Sequence, residues 1–459
     1  MSPLPSPLRG ELATLLDDRF TTAEAHLRHH AAGEGWMPPA LPDAVCFPVD
    51  TDEVASVLGS CARHGVPVIA FGAGTSLEGH VNPVRGGVSL DLGRMDRILE
   101  VSDEDLDCHV EAGVRREQLD EHLRPRGLFF PVDPGADATL GGMAATGASG
   151  TTTVRYGAMR HNVLGLRVVL ADGSVIHTGS RARKSSAGYD LTRLFIGSEG
   201  TLGIITELRL RLYGTPETIV AAVARYPEVE AAADTVIAAV QLGIPVARCE
   251  LLDEAQMQAS IRHSRLEDME PAPTLFFEFH GADDAVAEGL RQLQELSAER
   301  GGSPMRRATR PEDRSRLWRA RHDAYFAALA LAPGKKGFVT DACVPISRLA
   351  GCIRDTRGDI EELGLQAPIV GHVGDGNFHL VILCDPDDEA EWERTRRLND
   401  RLVRRAQALG GTCTGEHGVG LGKRHYLEAE HGAGVDLMRR LKRALDPDEI
   451  LNPGKLLPD

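Results

Sequence analysis

Residues 131–150 read PVDPGADATLGGMAATGASG, a stretch made almost entirely of small residues. Two shorter stretches of the same character are FGAGTSLEG at 71–79 and GSEGTLG at 197–203. A loop of small residues can direct successive backbone N–H groups at a phosphate without steric obstruction. One such loop is most often a structural turn, whereas three within one predicted domain favour a site for a long flat ligand with phosphates and ribose.

The loop at 71–79 does not match the dinucleotide-binding fingerprint G-x-G-x-x-G. After Gly72 and Gly74 the place of the third glycine is taken by Leu77, and the next glycine is Gly79. The sequence therefore argues against a Rossmann nicotinamide site.

Length and charge restrict the class of protein further. A chain of 459 residues is too long for one simple core and predicts two or three packed units. Its 51 basic and 67 acidic residues leave a net charge of −16. A field of that sign repels phosphate backbones, so we expect no nucleic-acid partner, and an anionic substrate needs a local basic pocket. Eight cysteines without C-x-x-C spacing predict reduced, buried thiols.

The N-terminal stretch MSPLPSPLRG lacks the charged and then apolar layout of a secretory signal. The acidic residues that follow it argue against a transit peptide, and no apolar stretch approaches the roughly 20 residues that span a bilayer. These features predict a cytoplasmic protein without a transmembrane segment.

Local patterns predict mixed α and β structure. A helix is expected at 51–64 because apolar residues from Val54 to Cys61 recur at helical spacing. A second helix is predicted at 116–124 and strands at 66–71, 87–92, 98–101, 107–112, 163–170 and 203–212. After Tyr213 we predict helices at 227–241, 283–300 and 311–331, and strands at 274–280, 337–345 and around Ile369. This alternation indicates an α+β second domain that begins near residue 215.

The order of the three glycine loops resembles the FAD-binding domain of the vanillyl-alcohol-oxidase and p-cresol-methylhydroxylase (PCMH) flavoproteins. Within that family the chain looks like the D-lactate dehydrogenase (cytochrome) and glycolate-oxidase FAD-subunit branch, over nearly everything after residue 40. The resemblance implies an α+β fold: a two-subdomain PCMH-type FAD-binding domain plus an α+β cap domain with an antiparallel sheet. The expected segments are an N-terminal helical segment at 1–40, the FAD-binding domain at 41–215, the substrate or cap domain with a metal site at 216–410, and a return to the FAD domain at 411–459.

The same resemblance implies which residues contact the cofactor. The pyrophosphate loop would be Gly72, Ala73, Gly74, Thr75, Ser76 and Leu77. The flavin would lie along Pro134, Thr139, Gly141, Gly142, Gly147, Ser149, Gly150, Tyr156 and Gly157. The adenine end would be held by Glu199, Gly200 and Ile205, and Asn452 would close the site. Because the first loop itself contains no histidine, we expect non-covalent FAD and interpret His80 as a surface turn residue.

A candidate metal site lies at 369–383, IVGHVGDGNFHLVIL. Asp375-Gly376 is a two-residue hairpin signal, and such a turn pairs His372 with His379 on one face of the hairpin. Glu416 and His417, in TGEHG, offer a carboxylate and a further imidazole. A His/His/Glu set suits a catalytic divalent ion such as Zn²⁺, Mn²⁺ or Fe²⁺, with Zn²⁺ or Mn²⁺ favoured. The alternative is a pair of hydrogen-bonded sheet histidines; the family's H-x-x-D-x-N-x-H and G-E-H-G motifs favour the metal and make His417 the base.

A basic clamp is the remaining candidate feature. Trp318, Arg321 and Tyr325 share a face of the helix predicted at 311–331. An arginine can hold a carboxylate by two parallel N–H bonds, and family position assigns that role to Arg321. Lys336 is either a second positive charge at the same site or an ordinary solvated lysine.

Together these parts imply oxidation of a D-2-hydroxy acid by hydride transfer to flavin N5. The favoured substrate is D-lactate, and D-2-hydroxyglutarate or glycolate would use the same core site. The electron acceptor is a cytochrome, a quinone or an electron-transfer flavoprotein, and peripheral membrane contact is compatible with the sequence. A hypothesis from another class is a non-redox, FAD-dependent ether-lipid synthase.

Overall fold

The computed structural model describes residues 4–266 and 269–458, which divide into two compact units. The first unit contains the described residues of Met1–Ser149, Gly157–Thr215 and Glu416–Asp459. The second contains Gly150–Tyr156 and the described residues of Pro216–Gly415. Both units mix helices with sheets, which confirms the predicted α+β class. The finer division into four segments stays a prediction.

The first unit contains a four-stranded sheet in the order β1-β2-β4-β3, a five-stranded antiparallel sheet in the order β5-β6-β10-β8-β9, and the pair β11-β7. In the four-stranded sheet β2, β4 and β3 are parallel. The strands are β1 Phe20–Thr21, β2 Ala44–Cys46, β3 Val68–Phe71, β4 Val88–Asp91, β5 Ile98–Ser102, β6 Asp107–Glu111, β7 Leu128–Phe129, β8 Val163–Val169, β9 Val175–Gly179, β10 Ile204–Arg211 and β11 Tyr213–Gly214.

Six of the nine α-helices described for this unit contribute buried residues to the same hydrophobic core as its sheets. The α-helices of the first unit are Ser6–Leu16, Glu24–His29, Thr51–Arg63, Arg116–Leu123, Leu140–Thr146, Met159–Asn162, Leu191–Phe195, Leu427–His431 and Gly434–Leu445. Thr51–Arg63 begins at the predicted residue, and the Asp50 side chain caps it by accepting a hydrogen bond from Glu53 N. The N-terminal helix belongs to this core, since three of its leucines are fully buried there.

The second unit is built on one large antiparallel sheet with the strand order β15-β12-β14-β13-β18-β19-β16, and β17 pairs with β19. Its strands are β12 Thr218–Arg225, β13 Val246–Leu252, β14 Thr274–Gly281, β15 Arg306–Ala308, β16 Lys336–Val339, β17 Ala342–Cys343, β18 Ile369–Gly371 and β19 Asn377–Cys384. The antiparallel sheet confirms the architecture predicted for the second domain.

Both faces of this sheet are buried, because successive side chains of a strand point to opposite sides. On β14, Phe277 and Phe279 belong to one core, and Phe276 packs with Leu317 and Trp318 in another. The α-helices of this unit are Thr153–Tyr156, Val229–Gln241, Glu254–Ser264, Asp283–Ala298, Pro311–His322, Ala324–Leu329, Leu349–Leu363 and Glu389–Ala408. The helix predicted at 311–331 is therefore two helices, and the chain leaves helical geometry at Asp323, where ψ is 5°.

Two sequence-based expectations about the whole chain are settled. All eight cysteines are free, and seven of them are buried, as predicted. Among the residues that the structure describes, no helix is both long and apolar enough to cross a membrane.

Candidate functional site

The first two glycine loops touch each other in the first unit. A Cβ atom on Gly72 would lie 2.3 Å from Thr139 Oγ1, so only glycine permits this approach. Thr139 caps the helix Leu140–Thr146, and its Oγ1 accepts a hydrogen bond from Gly142 N. Gly141 packs equally closely, since a Cβ there would meet Ala112 at 2.6 Å. The small residues of both loops are thus required by backbone packing as well as by any ligand.

The third loop is fixed to the end of the same helix. Gly197 N donates to Ala144 O at 3.0 Å, and Glu199 N donates to Ala145 O at 2.8 Å. These bonds satisfy carbonyl groups that a helix C-terminus otherwise leaves without partners. The first unit therefore contains all three loops except Gly150, which belongs to the second unit.

The Glu199 carboxylate is engaged by protein atoms. It accepts hydrogen bonds from Val419 N at 2.7 Å and Gly420 N at 2.8 Å, and His80 Nε2 lies 3.3 Å from Oε1. Burial raises the pKa of Glu199, but His80 and the two backbone bonds lower it below its ordinary value overall. Glu199 therefore holds the C-terminal segment in place, and its backbone N–H and C=O are also engaged by protein atoms, Ala145 O and Asn452 Nδ2.

The interpretation of His80 as a surface turn residue is wrong. His80 is buried, with a residue exposure of 4%, because Gly79 turns the chain inward at φ 76° and Gly418 covers the ring. The partners of His80 are more than a hundred residues away in the sequence, so no local pattern links them to it. The signal was the glycine at 79, which allows a turn that other residues rarely adopt.

Asn452 adopts a left-handed conformation with φ 40°. Its side-chain amide donates to His80 O at 3.0 Å and to Glu199 O at 2.8 Å, and its backbone N donates to Val68 O. The residue thus closes the loops by fastening them to each other. A non-glycine residue in this conformation stores strain, which the surrounding bonds hold in place.

The remaining predicted cofactor residues lie on several elements. Ser149 Oγ donates to Glu416 Oε2 at 3.0 Å within the first unit, and Ile205 is buried on β10. Gly150 and Tyr156 belong to the second unit, where the Tyr156 hydroxyl and His280 Nδ1 are 2.8 Å apart. Three glycines have positive φ, which suits close backbone approach to a ligand: Gly147, Gly157 and Gly200. The loops at 71–79 and 131–150 carry the remaining predicted residues: Ala73, Thr75, Leu77 and Pro134.

The loops fit a cofactor that carries phosphates. Ser76 Oγ is buried and has no hydrogen-bond partner among the described residues. A buried hydroxyl without a partner is costly, and a ligand oxygen in the loop would satisfy it. In the same loop Gly72 and Gly74 are crowded, since a Cβ would meet Thr139 Oγ1 at 2.3 Å or the Phe71 ring at 2.8 Å.

In the second unit the histidine pair is formed by a different turn from the one predicted. Val370, not His372, pairs with His379, because the strands are joined by residues 372–376 with a 3-10 turn at Val373–Asp375. Gly376, at φ 78°, ends this turn. The predicted two-residue hairpin and its register are therefore wrong. The two rings nevertheless lie close together: the ring centroids of His372 and His379 are 5.5 Å apart, and the angle between the ring planes is 83°.

Hydrogen bonds fix which nitrogen of each ring can bind a metal. His379 Nδ1 lies 3.0 Å from Thr340 O, and a carbonyl oxygen only accepts, so Nδ1 carries the proton. His372 Nδ1 lies 2.7 Å from Glu250 Oε1. In the neutral form of each ring the lone pair is then on Nε2, as in metal-binding histidines. This donor set fits a divalent ion.

Glu250 is the site residue that the sequence analysis missed. It lies on β13, where Leu251 pairs with Gly371, so extending the register by one residue sets Glu250 opposite His372. Burial raises the pKa of Glu250, but His372 and Arg321 lower it below its ordinary value overall. The signal was a charged residue inside VARCELL, an otherwise largely apolar stretch that was not predicted as a strand.

Arg321 and Lys336, the two predicted anchors, lie in different surroundings. Arg321 is largely buried, with 12% of its side chain exposed, and its Nε donates to Glu250 Oε2 at 2.7 Å, which leaves both Nη groups for a substrate carboxylate. Lys336 is exposed and pairs with Cys384 on the sheet face opposite to His379. The structure therefore does not place Lys336 beside Arg321. Of its expected helix neighbours, Trp318 is buried and Tyr325 is partly exposed beyond the break at Asp323.

The segment that leads to Glu416 is tightly held within the second unit. Thr414 Oγ1 donates to Asp341 Oδ2 at 2.6 Å, and Asn377 Nδ2 donates to Asp341 Oδ1 at 2.7 Å. A Cβ on Gly415 would lie 2.2 Å from Asn377 Nδ2. Glu416 is the next residue in the chain, so its Cα lies only about 3.8 Å from the Cα of the last residue of this fixed segment. His417 follows it, with Nε2 4.0 Å from Glu416 Oε1.

Two protein-family models match this chain. The family described as "FAD binding domain" matches residues 42–179, and the family described as "FAD linked oxidases, C-terminal domain" matches residues 215–456. The second match covers more than half of the chain.

Two curated relatives are similar over almost the whole length. One is the "Probable D-lactate dehydrogenase, mitochondrial" of Danio rerio, 49% identical over 96% of this chain and 89% of the relative. The other is "D-lactate dehydrogenase [cytochrome], mitochondrial" of Arabidopsis thaliana, 45% identical over 99% of this chain and 81% of the relative. A crystal structure of p-cresol methylhydroxylase with substrate bound has a TM-score of 0.81 at 18% identity, covering 98% of this chain and 96% of that chain, and shows the shared fold.

The chain therefore belongs to the FAD-linked oxidases of the vanillyl-alcohol-oxidase and PCMH family, in the D-lactate dehydrogenase branch, and is an FAD-dependent enzyme of that type. The expected cytoplasmic location is wrong on this comparison, because both relatives are mitochondrial by name. The absence of a leader pattern at the start of the given sequence does not determine the location.

Proposed function

We propose that the protein oxidises a D-2-hydroxy acid, with D-lactate giving pyruvate as the favoured reaction, and passes the electrons to a cytochrome. The observation that carries this proposal is the buried arrangement of Arg321, Glu250 and His372 in the second unit, where a carboxylate anchor adjoins a candidate metal ligand. The names of the two D-lactate dehydrogenase relatives support the substrate, and the second name supports the acceptor.

The FAD, held without a covalent bond, would lie along the three glycine loops of the first unit and supply hydride acceptance when bound. His80, the histidine that follows the first loop, is oriented toward Glu199. Acid precipitation should therefore release the flavin into the supernatant. Flavin that stays with the precipitated polypeptide would contradict this part of the proposal.

His372, His379 and Glu416 would hold one divalent ion, Zn²⁺ or Mn²⁺, which would supply Lewis-acid polarisation of the substrate hydroxyl. The proposal is supported by the protonated Nδ1 atoms of both histidines and by the fixed chain that precedes Glu416. Stoichiometric metal in protein purified without a His-tag is the expected result.

The protein's own groups have separate roles in this scheme. Arg321 orients the substrate carboxylate through its two Nη groups, because Nε is already committed to Glu250. His417 takes the hydroxyl proton as general base.

A substrate panel with an artificial electron acceptor tests the proposal, with and without a chelator. We expect D-lactate to be preferred over L-lactate, glycolate and D-2-hydroxyglutarate, and activity to fall when metal is removed. A preference for glycolate or D-2-hydroxyglutarate would change the assigned substrate and leave the assigned site residues unchanged. Absence of dye reduction with every 2-hydroxy acid would favour a non-redox enzyme instead. Full activity after complete chelation would contradict the proposed role of the metal.

A further inference from the structure

Glu250 connects two groups with different tasks. Oε1 accepts a hydrogen bond from His372 Nδ1 and Oε2 accepts one from Arg321 Nε, both at 2.7 Å. The side chain of Glu250 is fully buried, with 0% exposure. Each oxygen of one carboxylate thus has a separate cationic or donating partner.

Burying a charged side chain at this position is energetically unfavourable. Glu250 pairs with Phe276 across the sheet, and the neighbours on that face include Leu252 and Val370. A buried carboxylate is tolerated only when it is paired and hydrogen-bonded. A purely structural role at this position would be served at least as well by an apolar side chain.

The bond to His372 fixes the tautomer and the direction of the ring. With a proton held on Nδ1, the neutral ring carries its lone pair on Nε2, and rotation of the ring would break a buried charged hydrogen bond. The bond to Arg321 works in the same way on the guanidinium. Since it uses Nε, the edge that carries Nη1 and Nη2 is held in one orientation.

We propose that Glu250 is the positioning residue that sets a metal ligand and the substrate-carboxylate anchor in register with each other. This inference rests on the proposed function, which supplies the metal and the carboxylate. Glu250 touches neither the metal nor the substrate. It acts through His372 on metal affinity and through Arg321 on substrate affinity.

The substitution Glu250→Gln tests this role with little change of volume. A glutamine has one accepting oxygen and one NH₂ group, so it can satisfy only one of the two donors. Glu278→Gln is the matched control: Glu278 is also buried, lies on the adjacent strand β14 on the same face of the sheet, and bonds to Trp318 and His280 instead.

The measurements use the flavin-loaded, chelator-treated protein. Titration with Zn²⁺ or Mn²⁺ should show binding weakened about 10- to 100-fold in Glu250→Gln, in line with the loss of a partner to a metal-bound histidine. At saturating metal the KM for D-lactate should rise more than kcat falls, because the Arg321 orientation is lost. Glu278→Gln should keep the parent's metal affinity even where its thermal unfolding midpoint falls as much.

The outcomes separate the two claims. If the parent and Glu250→Gln bind metal equally tightly and have the same KM, the inference is overturned. The proposed function is not affected by that result. Equal weakening of metal binding in both variants also overturns the inference, because the effect is then one of general stability. Parent protein that binds neither Zn²⁺ nor Mn²⁺ overturns the metal site of the proposed function and this inference with it.

Discussion

His372 donates its Nδ1–H to Glu250 Oε1 at 2.7 Å across 122 residues of sequence. The sheet register produces this meeting, because β13 and β18 are neighbours and place residues 250 and 372 opposite each other. A carboxylate behind a histidine is a common way to orient a metal ligand. The same carboxylate holds Arg321, so the geometry of the candidate site depends on one buried charge.

Replacing the guanidinium group of Arg321 by an ammonium group should reduce activity. Arg321→Lys retains the charge but loses the fork that grips Glu250 and a substrate carboxylate together. We expect kcat/KM for D-lactate to fall about 10- to 100-fold, mainly through KM. Steady-state kinetics measure this, with Arg319→Lys on the exposed side of the same helix as the control. Equal kinetics of the two variants would contradict the assignment.

A methyl group at Gly415 should disturb the start of the Glu416 segment. An alanine Cβ would lie 2.2 Å from Asn377 Nδ2, so the chain must shift before Glu416. A displacement of about 1 Å at a reacting group can slow a reaction about 100-fold. Metal content and kcat of Gly415→Ala should both fall.

Gly358→Ala provides the control for that substitution. Gly358 lies inside the helix Leu349–Leu363, and a Cβ there meets nothing within 4 Å. Alanine should leave activity unchanged and raise stability by up to about 1 kcal/mol. Normal metal content and activity in Gly415→Ala would show that the tight packing at Gly415 does not govern the site.

His417 should be needed for proton removal and not for assembly. His417→Asn should keep flavin and metal while kcat falls by about 10²- to 10⁴-fold. Absorbance spectra and metal analysis establish that the variant is loaded, and single-turnover flavin reduction gives the rate. A loaded variant that reduces at the parent's rate would exclude His417 as the base.

The local elements were largely predictable because their signals are short-range. The helix Thr51–Arg63 and strand Val163–Val169 follow the apolar spacing read from sequence. The three loops were also predictable, since their small residues are adjacent in the chain. The break at Asp323 was not, because the apolar pattern continues through it and only the backbone angles change.

Contacts between distant segments account for the errors at the site. Glu250 lies 71 residues from Arg321 and 122 from His372, so no pattern in the chain links them. His80 is buried by Gly418, on a segment that returns more than three hundred residues later. For the histidine pair, the Asp375-Gly376 signal was local and real, but the chain uses Gly376 to end a 3-10 turn instead of a two-residue hairpin.

Acid stability of the first unit should depend on Glu207. His109 and then Arg167 bond this carboxylate on β10 and lower its pKa from 4.5 to about 2. Because the folded-state pKa is depressed, the stabilisation is fully present above pH 4.5 and is lost as the pH falls toward 2. The difference in unfolding free energy between the parent and Glu207→Gln should be about 3 kcal/mol at pH 7 and shrink across that window.

Urea unfolding at a series of pH values measures this difference. Glu100→Gln serves as the control, because Glu100 lies on β5 of the same sheet with 45% of its side chain exposed. We expect a change below about 0.5 kcal/mol for the control at every pH. A Glu207→Gln difference that stays constant from pH 7 to pH 3 would contradict the role of the depressed pKa.

Anaerobic reduction of the bound flavin tests the central claim most directly. Stoichiometric D-lactate should bleach the visible absorbance of the FAD-loaded protein, with pyruvate formed in equal amount, and the same concentration of L-lactate should leave the spectrum unchanged. Failure of D-lactate and every other D-2-hydroxy acid to bleach the flavin would contradict the account.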